Sequence, residues 1–178
     1  MFTHRVATVT DIPALRDLMA DAITILQQGF LSPAQIAASR ALMGLDTQLV
    51  ADGTYLVVEQ HGTLAGCGGW SRRATLFGGD HTPGRSAALL DPAHHPARIR
   101  AMYTAPAFAR RGVGRLVLAL CEAQAAAAGF TRAELAATMA GIPLYTACGY
   151  SPIEPIAGMH DGVEVPLMRM GKQLQTPG

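Results

Sequence analysis

The sequence predicts an α/β (α+β) protein in which helices flank a single central sheet that is mixed but mostly antiparallel. Three observations predict it. Apolar residues recur with helical spacing in some stretches and alternate in others, the two kinds of stretch take turns along the chain, and hairpin signatures join neighbouring strands. With 178 residues, nearly half of them apolar, the chain can bury about 70% of its unfolded surface without disulfide or metal staples. One domain over residues 1–178 is expected, with no internal repeat.

The elements follow in order. "HRVATVT" alternates as a short strand, and Asp11 is placed to cap a helix with Pro13 in its first turn and Leu15, Leu18, Met19, Ala22 and Leu26 on one face. Ser32 and Pro33 open a second helix, closed by Gly44. "TYLVVEQ", "HG" and "TLAGCGGWSRR" read as a β-hairpin. Residues 74–97 form an irregular insertion rich in Gly, Pro, Asp and His, of a length that marks function more often than idle connection. "RIRAMYTAP" is a strand stopped by Pro106. From Val113 a helical stripe of Val113, Leu116, Val117, Leu120 and Cys121 runs to Gly129, with Phe130 set for a C-terminal contact. "RAELAATM" is the next strand, "IPLYTAC" a short helix ended by Gly149, and "YSPIEP" with "VEVPLMRM" a closing hairpin before a loose tail at 173–178. The order is β α α β β β α β α β β.

Charge and cysteine content narrow the function. Fourteen Lys and Arg against thirteen Asp and Glu give a net charge of +1, which leaves no nucleic-acid footprint and no polybasic membrane anchor. Cys67, Cys121 and Cys148 are odd in number and lack metal spacing, as reduced thiols in a cytoplasmic protein do. No apolar leader core and no run of about 18 apolar residues occurs. The partner has therefore to be argued from a site.

"ARRGVGR", residues 109–115, joins a strand to a helix. A helix start offers unpaired N–H groups and partial positive charge, and glycines let a phosphate approach them. Arg110, Arg111 and Arg115 add full charge where the helix dipole alone disfavours it, a conflict that an anion resolves. The same glycines also suit tight packing of helix on strand, and the loop by itself leaves both readings open. The Walker pattern is absent and the third glycine of a dinucleotide fingerprint is missing.

Three ordered segments decide more: "RIRAMYTAPAFARRGVGRLVLALCEAQ", "RAELAATM" and "GIPLYTACGY". Together they resemble the GNAT superfamily of acyl-CoA-dependent N-acetyltransferases, and the resemblance extends to "RVATVTDIPALRDLM" and "VPLMRMGK", leaving out mainly residues 74–97. It implies a GNAT-like sheet whose strands splay around a CoA site, with acetyl-CoA as cosubstrate and no metal. The family's pyrophosphate loop, Gln/Arg-x-x-Gly-x-Gly/Ala, falls on Ala109, Arg110, Arg111, Gly112, Val113 and Gly114, with Arg115 following. Ala109 departs from the preferred Gln or Arg, at a place where the family grips chiefly through backbone amides. Ala140 departs where many members carry Asn. Met102, Tyr103 and Thr104 would lie on the strand whose backbone pairs with the pantetheine arm and the acetyl carbonyl.

The resemblance also matches Tyr145 to a tyrosine that many members place beside the CoA sulfur. The chemistry suits it: a thiolate leaving a thioester needs a proton, and a phenol with pKa about 10 stays protonated at neutral pH. Tyr145 is the expected general acid. For the base, no glutamate stands on the central strands, so Asp80 and His81 in the insertion, as base or as substrate contacts, and a water chain are the candidates. Trp70 either packs in the core or walls an acceptor pocket, and with Arg72 two residues further along the same strand face the acceptor would carry an anionic group beside its amine. His94 and His95, adjacent in a polar loop, do not form a metal motif. The cysteines sit in apolar settings without an activating His nearby, which favours direct attack by a primary amine over a covalent route. The competing reading is a catalytically silent acyl-CoA-binding or sensor module. The apolar C-terminal hairpin is a candidate surface for a homodimer.

Overall fold

A computed structural model describes residues 1–175. Seven strands form one mixed sheet in the order β1-β2-β3-β4-β5-β7-β6. They are β1 (Thr3–Val6), β2 (Tyr55–Gln60), β3 (Thr63–Ser71), β4 (Ala97–Thr104), β5 (Arg132–Thr138), β6 (Ser151–His160) and β7 (Val163–Gln173). Every pairing is antiparallel except β4 with β5. The helices are α1 (Ile12–Leu26), α2 (Pro33–Leu42), α3 (Thr47–Ala51), α4 (Val113–Ala127) and α5 (Ile142–Ala147).

The two faces of the sheet are covered by different helices. Leu56 and Val58 of β2 belong to a core shared with Val113, Val117 and Cys121 of α4, whereas Tyr55 and Val57 belong to a core shared with Leu15 and Met19 of α1. This is the period of two expected of a strand buried on both sides. A smaller cluster joins Leu31, Ala38 and Leu42 to Val165 of β7. Glycines on β3 bring α4 close: a Cβ at Gly68 would stand 2.7 Å from Val117 Cγ1.

Local signals account for most boundaries. Ser32 Oγ accepts from Gln35 N–H at 3.2 Å while the Gln35 side chain accepts from Ser32 N–H at 3.0 Å, a capping box with Pro33 in the first turn. At the end of α4, Gly129 takes φ +95° and Phe130 N–H reaches the Ala125 carbonyl at 3.1 Å, as the sequence predicts. Asp11 behaves differently from expectation. Its carboxylate turns back to Thr8 N–H at 2.7 Å and to the Arg5 guanidinium through two bonds of 2.8 Å, so it closes a 3-10 turn instead of capping α1. The guanidinium holds its pKa well below the usual carboxylate range.

Three further differences appear. The five-residue α3 is too short for periodicity to declare. The insertion ends at Pro96, because Ala97 already pairs with Ala133. The loose tail starts later than expected: Gln173 is still in β7, and Leu174 N–H bonds the Thr131 carbonyl at 2.8 Å. Residues 176–178 lie outside the described residues. Among the described residues, no helix is long and apolar enough to cross a membrane.

Candidate active site

The site begins with strands that start together and separate. β4 and β5 pair only at Ala97 with Ala133 and Arg98 with Glu134, while β5 continues beside β7 as far as Thr138. Beyond Arg98 the β5-facing edge of β4 therefore has backbone groups with no ladder partner, and obligatory donors and acceptors of this kind need a ligand or water. A cleft of about 80 Å³ opens in the splay, walled by Ile99 to Tyr103 of β4, by Leu135, Ala136 and Thr138 of β5, and by Tyr145.

A bulge shapes the β4 wall. Cys67 faces Tyr103 and Gly69 faces Arg100, so three steps on β4 match two on β3. Ala101 takes φ +49°, uncommon for a residue with a Cβ, and the fully buried Tyr55 donates its hydroxyl to the Ala101 carbonyl at 2.7 Å. No sequence signal announces this bulge. Met102, Tyr103 and Thr104 follow it, and the first two line the cleft.

At the far end of β4 lies the strand-to-helix loop. Gly112 takes φ +85° at the start of the fifteen-residue α4, a conformation that glycine adopts without steric cost. A Cβ at Gly114 would stand 2.9 Å from Leu144 Cδ2 of α5, so a larger residue there would displace that side-chain tip. The three arginines divide. Arg111 stacks over Phe108 at 4.9 Å and Phe2 at 5.9 Å, and donates to Gln60 Oε1 at 2.8 Å. Arg110, with φ +60°, and Arg115 are exposed and make no ion pair among the described residues. The loop's uncommitted charge therefore resides on Arg110 and Arg115, while Arg111 is engaged by Phe2, Phe108 and Gln60.

Tyr145 is 8% exposed, stacks edge-on against Tyr150 at 6.0 Å, and makes no side-chain hydrogen bond among the described residues. Burial pushes its pKa above that of an ordinary phenol. Its hydroxyl is thus a protonated donor beside the splay.

Sequence reasoning missed a buried cluster that fastens the insertion to β4 and to the start of α3. Arg100 of β4, 3% exposed, donates to Asp46 at 3.1 Å and to the Gly78 carbonyl at 2.6 Å. Asp46, also 3% exposed, further pairs with Arg85 at 2.8 Å. This buried cluster ties the insertion over the cleft. Asp80 is part of the same fastening: its Oδ1 accepts from Thr47 N–H at 3.0 Å and Thr47 Oγ1–H at 3.1 Å. Asp80 and the exposed His81 line a second, outer cleft of about 200 Å³, and neither lines the central one.

Trp70 and Arg72 are placed elsewhere. Trp70 is 3% exposed, faces α4, donates from Nε1 to Gln124 Oε1 at 3.0 Å and meets Phe130 edge-on at 6.0 Å. Arg72 covers its ring at 5.3 Å. The two share a face, as expected, but it is the face that α4 occupies. The expected acceptor wall is therefore corrected to a packing pair, because alternation along β3 points both away from α1. Cys67 and Cys121 are buried thiols, and burial pushes Cys67 up to about 12. His94 Nδ1 sits 2.7 Å from Asp91 Oδ2, and the Asp91 N–H donates to His95 Nδ1 at 3.0 Å, a self-contained turn.

Comparison with known proteins decides the family. A model described as the Acetyltransferase (GNAT) family matches residues 19–150, three-quarters of the chain. The chain belongs to the GNAT acetyltransferase family. Solved GNAT structures share its fold at low identity. A GCN5-related N-acetyltransferase from Rhodopseudomonas palustris superposes with a TM-score of 0.72 at 18% identity, covering 97% of this chain and 95% of that one. The PaiA N-acetyltransferase from Thermoplasma acidophilum, solved in complex with coenzyme A, gives 0.66 at 13% identity, with 97% and 99% covered. The YncA acetyltransferase from Salmonella typhimurium, solved with acetyl-CoA, gives 0.63 at 20% identity, with 98% and 94% covered. A search of curated protein sequences finds no match.

Proposed function

We propose that this GNAT protein transfers an acetyl group from acetyl-CoA to a primary amine of a small-molecule acceptor by direct attack. The observation that carries this reading is the splayed β4–β5 cleft, which has Tyr145 in its wall, with the glycine-bearing start of α4 beside Thr104 at the end of the same strand. The free edge of β4 from Met102 to Thr104 offers backbone pairing to an extended pantetheine arm. The N–H groups from Arg110 to Gly114, with Arg110 and Arg115, suit a pyrophosphate. Ala109 precedes this cradle and contributes backbone only.

In the proposed reaction the amine nitrogen bonds to the thioester carbonyl carbon and the C–S bond breaks. The departing thiolate takes its proton from the Tyr145 hydroxyl, and the amine releases one to water. Water is preferred as base because Asp80 is engaged by Thr47 and neither Asp80 nor His81 reaches the central cleft. Burial raises the thiol pKa of Cys67 and Cys121, which argues against either as a nucleophile. The reading places the protein in the cytoplasm, with neither a nucleic acid nor a membrane as partner. It also takes the sheet-edge strand β6, where Ile153 and Met159 are half exposed, as the surface for a second copy. A monomer mass by light scattering would count against that surface.

Calorimetric titration with acetyl-CoA, desulfo-CoA and dephospho-CoA tests the cofactor, and thiol release across an amine panel tests the transfer. Saturable binding followed by thiol release supports the enzyme; binding without turnover returns the silent acyl-CoA module, and no binding at millimolar concentration removes both. Within the cradle, Arg110→Ala is expected to raise the acetyl-CoA Kd about tenfold through loss of a charge-assisted contact. Arg111→Ala is expected to change it less, and equal effects would contradict the division of the arginines.

A further inference from the structure

The outer cleft adjoins the central one: Ile23, Met43 and Gly44 line both. Two cations stand in its wall, Arg16 of α1 and Arg40 of α2, and neither makes an ion pair among the described residues. The opposing carboxylate there, Asp80, is held by Thr47 and lies 4.0 Å from Arg85. Met19, Ala20 and Ala41 add apolar surface beside the shared residues, and His81 and Thr82 complete the rim. Unpaired guanidinium forks over an apolar floor are suited to a carboxylate or a phosphonate.

The central cleft carries a complementary group. Gln27, at the end of α1, is 5% exposed and lines that cleft. Its Nε2 donates to Ser39 Oγ at 3.0 Å, while its Oε1 has no hydrogen-bond partner. An orphaned buried acceptor costs about 1–3 kcal/mol, a cost that a donor on a ligand removes. An amine entering the splay brings such donors.

From this juxtaposition we infer that the acceptor is a primary amine carrying an anionic group, its nitrogen seated at Gln27 Oε1 and its carboxylate or phosphonate between Arg16 and Arg40. The inference rests on the acetyltransferase reading and deepens it. Arg16 and Gln27 stand eleven positions apart along α1, about 16 Å on its axis, so the acceptor is an extended molecule whose anion the long arginine side chains reach in to meet. Ser39, one residue before Arg40, locks Gln27 from α2.

The test uses matched long amines: 6-aminohexanoate against hexylamine and 8-aminooctanoate against octylamine. Each is followed by acetyl-CoA-dependent thiol release, and each anionic member is also titrated calorimetrically into the protein with and without CoA. In at least one pair the anionic member is expected to have a KM tenfold or more lower. The double variant Arg16→Ala with Arg40→Ala should bring that ratio close to one and abolish the calorimetric signal. Gln27→Met should instead depress kcat/KM for both members of the pair. Equal use of both members in every pair, or a preference that survives the double variant, overturns the inference while leaving the acetyltransferase intact. Failure of acetyl-CoA itself to bind removes the parent reading, and anionic amines that then also fail to bind overturn this one with it.

Discussion

Replacing Tyr145 with phenylalanine is expected to lower kcat by about 100-fold or more while leaving the acetyl-CoA Kd within about twofold, since general-acid assistance is typically worth 10²–10⁴. The substitution removes one oxygen and keeps the ring. The edge-on contact with Tyr150 and the packing beneath α5 survive, so a loss of turnover reports on the hydroxyl and not on the fold. The pH dependence offers a second reading. Burial raises the Tyr145 pKa, so its proton-bearing form persists above the ordinary phenol value of about 10. Turnover in the native protein should therefore not fall as pH passes through about 10 on account of this group. An alkaline decline centred there that vanishes in Tyr145→Phe would show an ordinary phenol. Full activity in Tyr145→Phe would take the residue out of the mechanism.

Asp46→Ala is expected to be the most destabilising single change at the site, by about 3–5 kcal/mol. Arg100 is 3% exposed, and burial already pushes its pKa down; Asp46 is the carboxylate that opposes this. Without Asp46, a buried guanidinium loses its counter-charge, and for a chain of this length Tm should fall by about 10 °C. Arg85→Ala should cost much less, because Arg85 approaches Asp46 from the solvent side with 27% of its side chain exposed. Differential scanning calorimetry separates the two. Joint replacement, Asp46→Leu with Arg100→Met, should recover much of the loss, since an apolar pair carries no desolvation cost. Because Arg100 also holds the Gly78 carbonyl, the surviving fold of Asp46→Ala should show a raised acceptor KM. A Tm within about 2 °C of the native value would mean that the buried pair is solvated or replaceable.

The parts of the site that were legible are those in which one residue type answers a local demand. Gly112 was readable because a left-handed backbone at a helix start calls for glycine, and Gly129 with Phe130 because a helix end repeats that demand. Tyr145 was readable through the motif around it. The Asp46–Arg100–Arg85 cluster was not, since its members are 54 and 39 positions apart from Asp46 and no periodicity connects them. The same holds for Gln27, whose sequence neighbours mark only the end of a helix. Trp70 and Arg72 show the opposite failure: alternation placed them correctly on one face, but which face meets α4 and which meets α1 depends on how the layers stack.

The sequence by itself determined the strands, their order, every helix but α3, the glycine-bearing loop at the start of α4 and the family. These depend on local backbone preference, on hydrophobic period and on motif spacing, all of which act over a few residues or one turn. Only the tertiary structure decided that β4 and β5 separate after two paired positions, that Ala101 bulges under Tyr55, and that Arg111 leaves the loop for Phe108. It alone brought Arg16, Arg40 and Gln27 around adjoining clefts. Strand separation and charge burial are set by contacts between distant segments, where the environment that selects a partner exists only once the layers have packed.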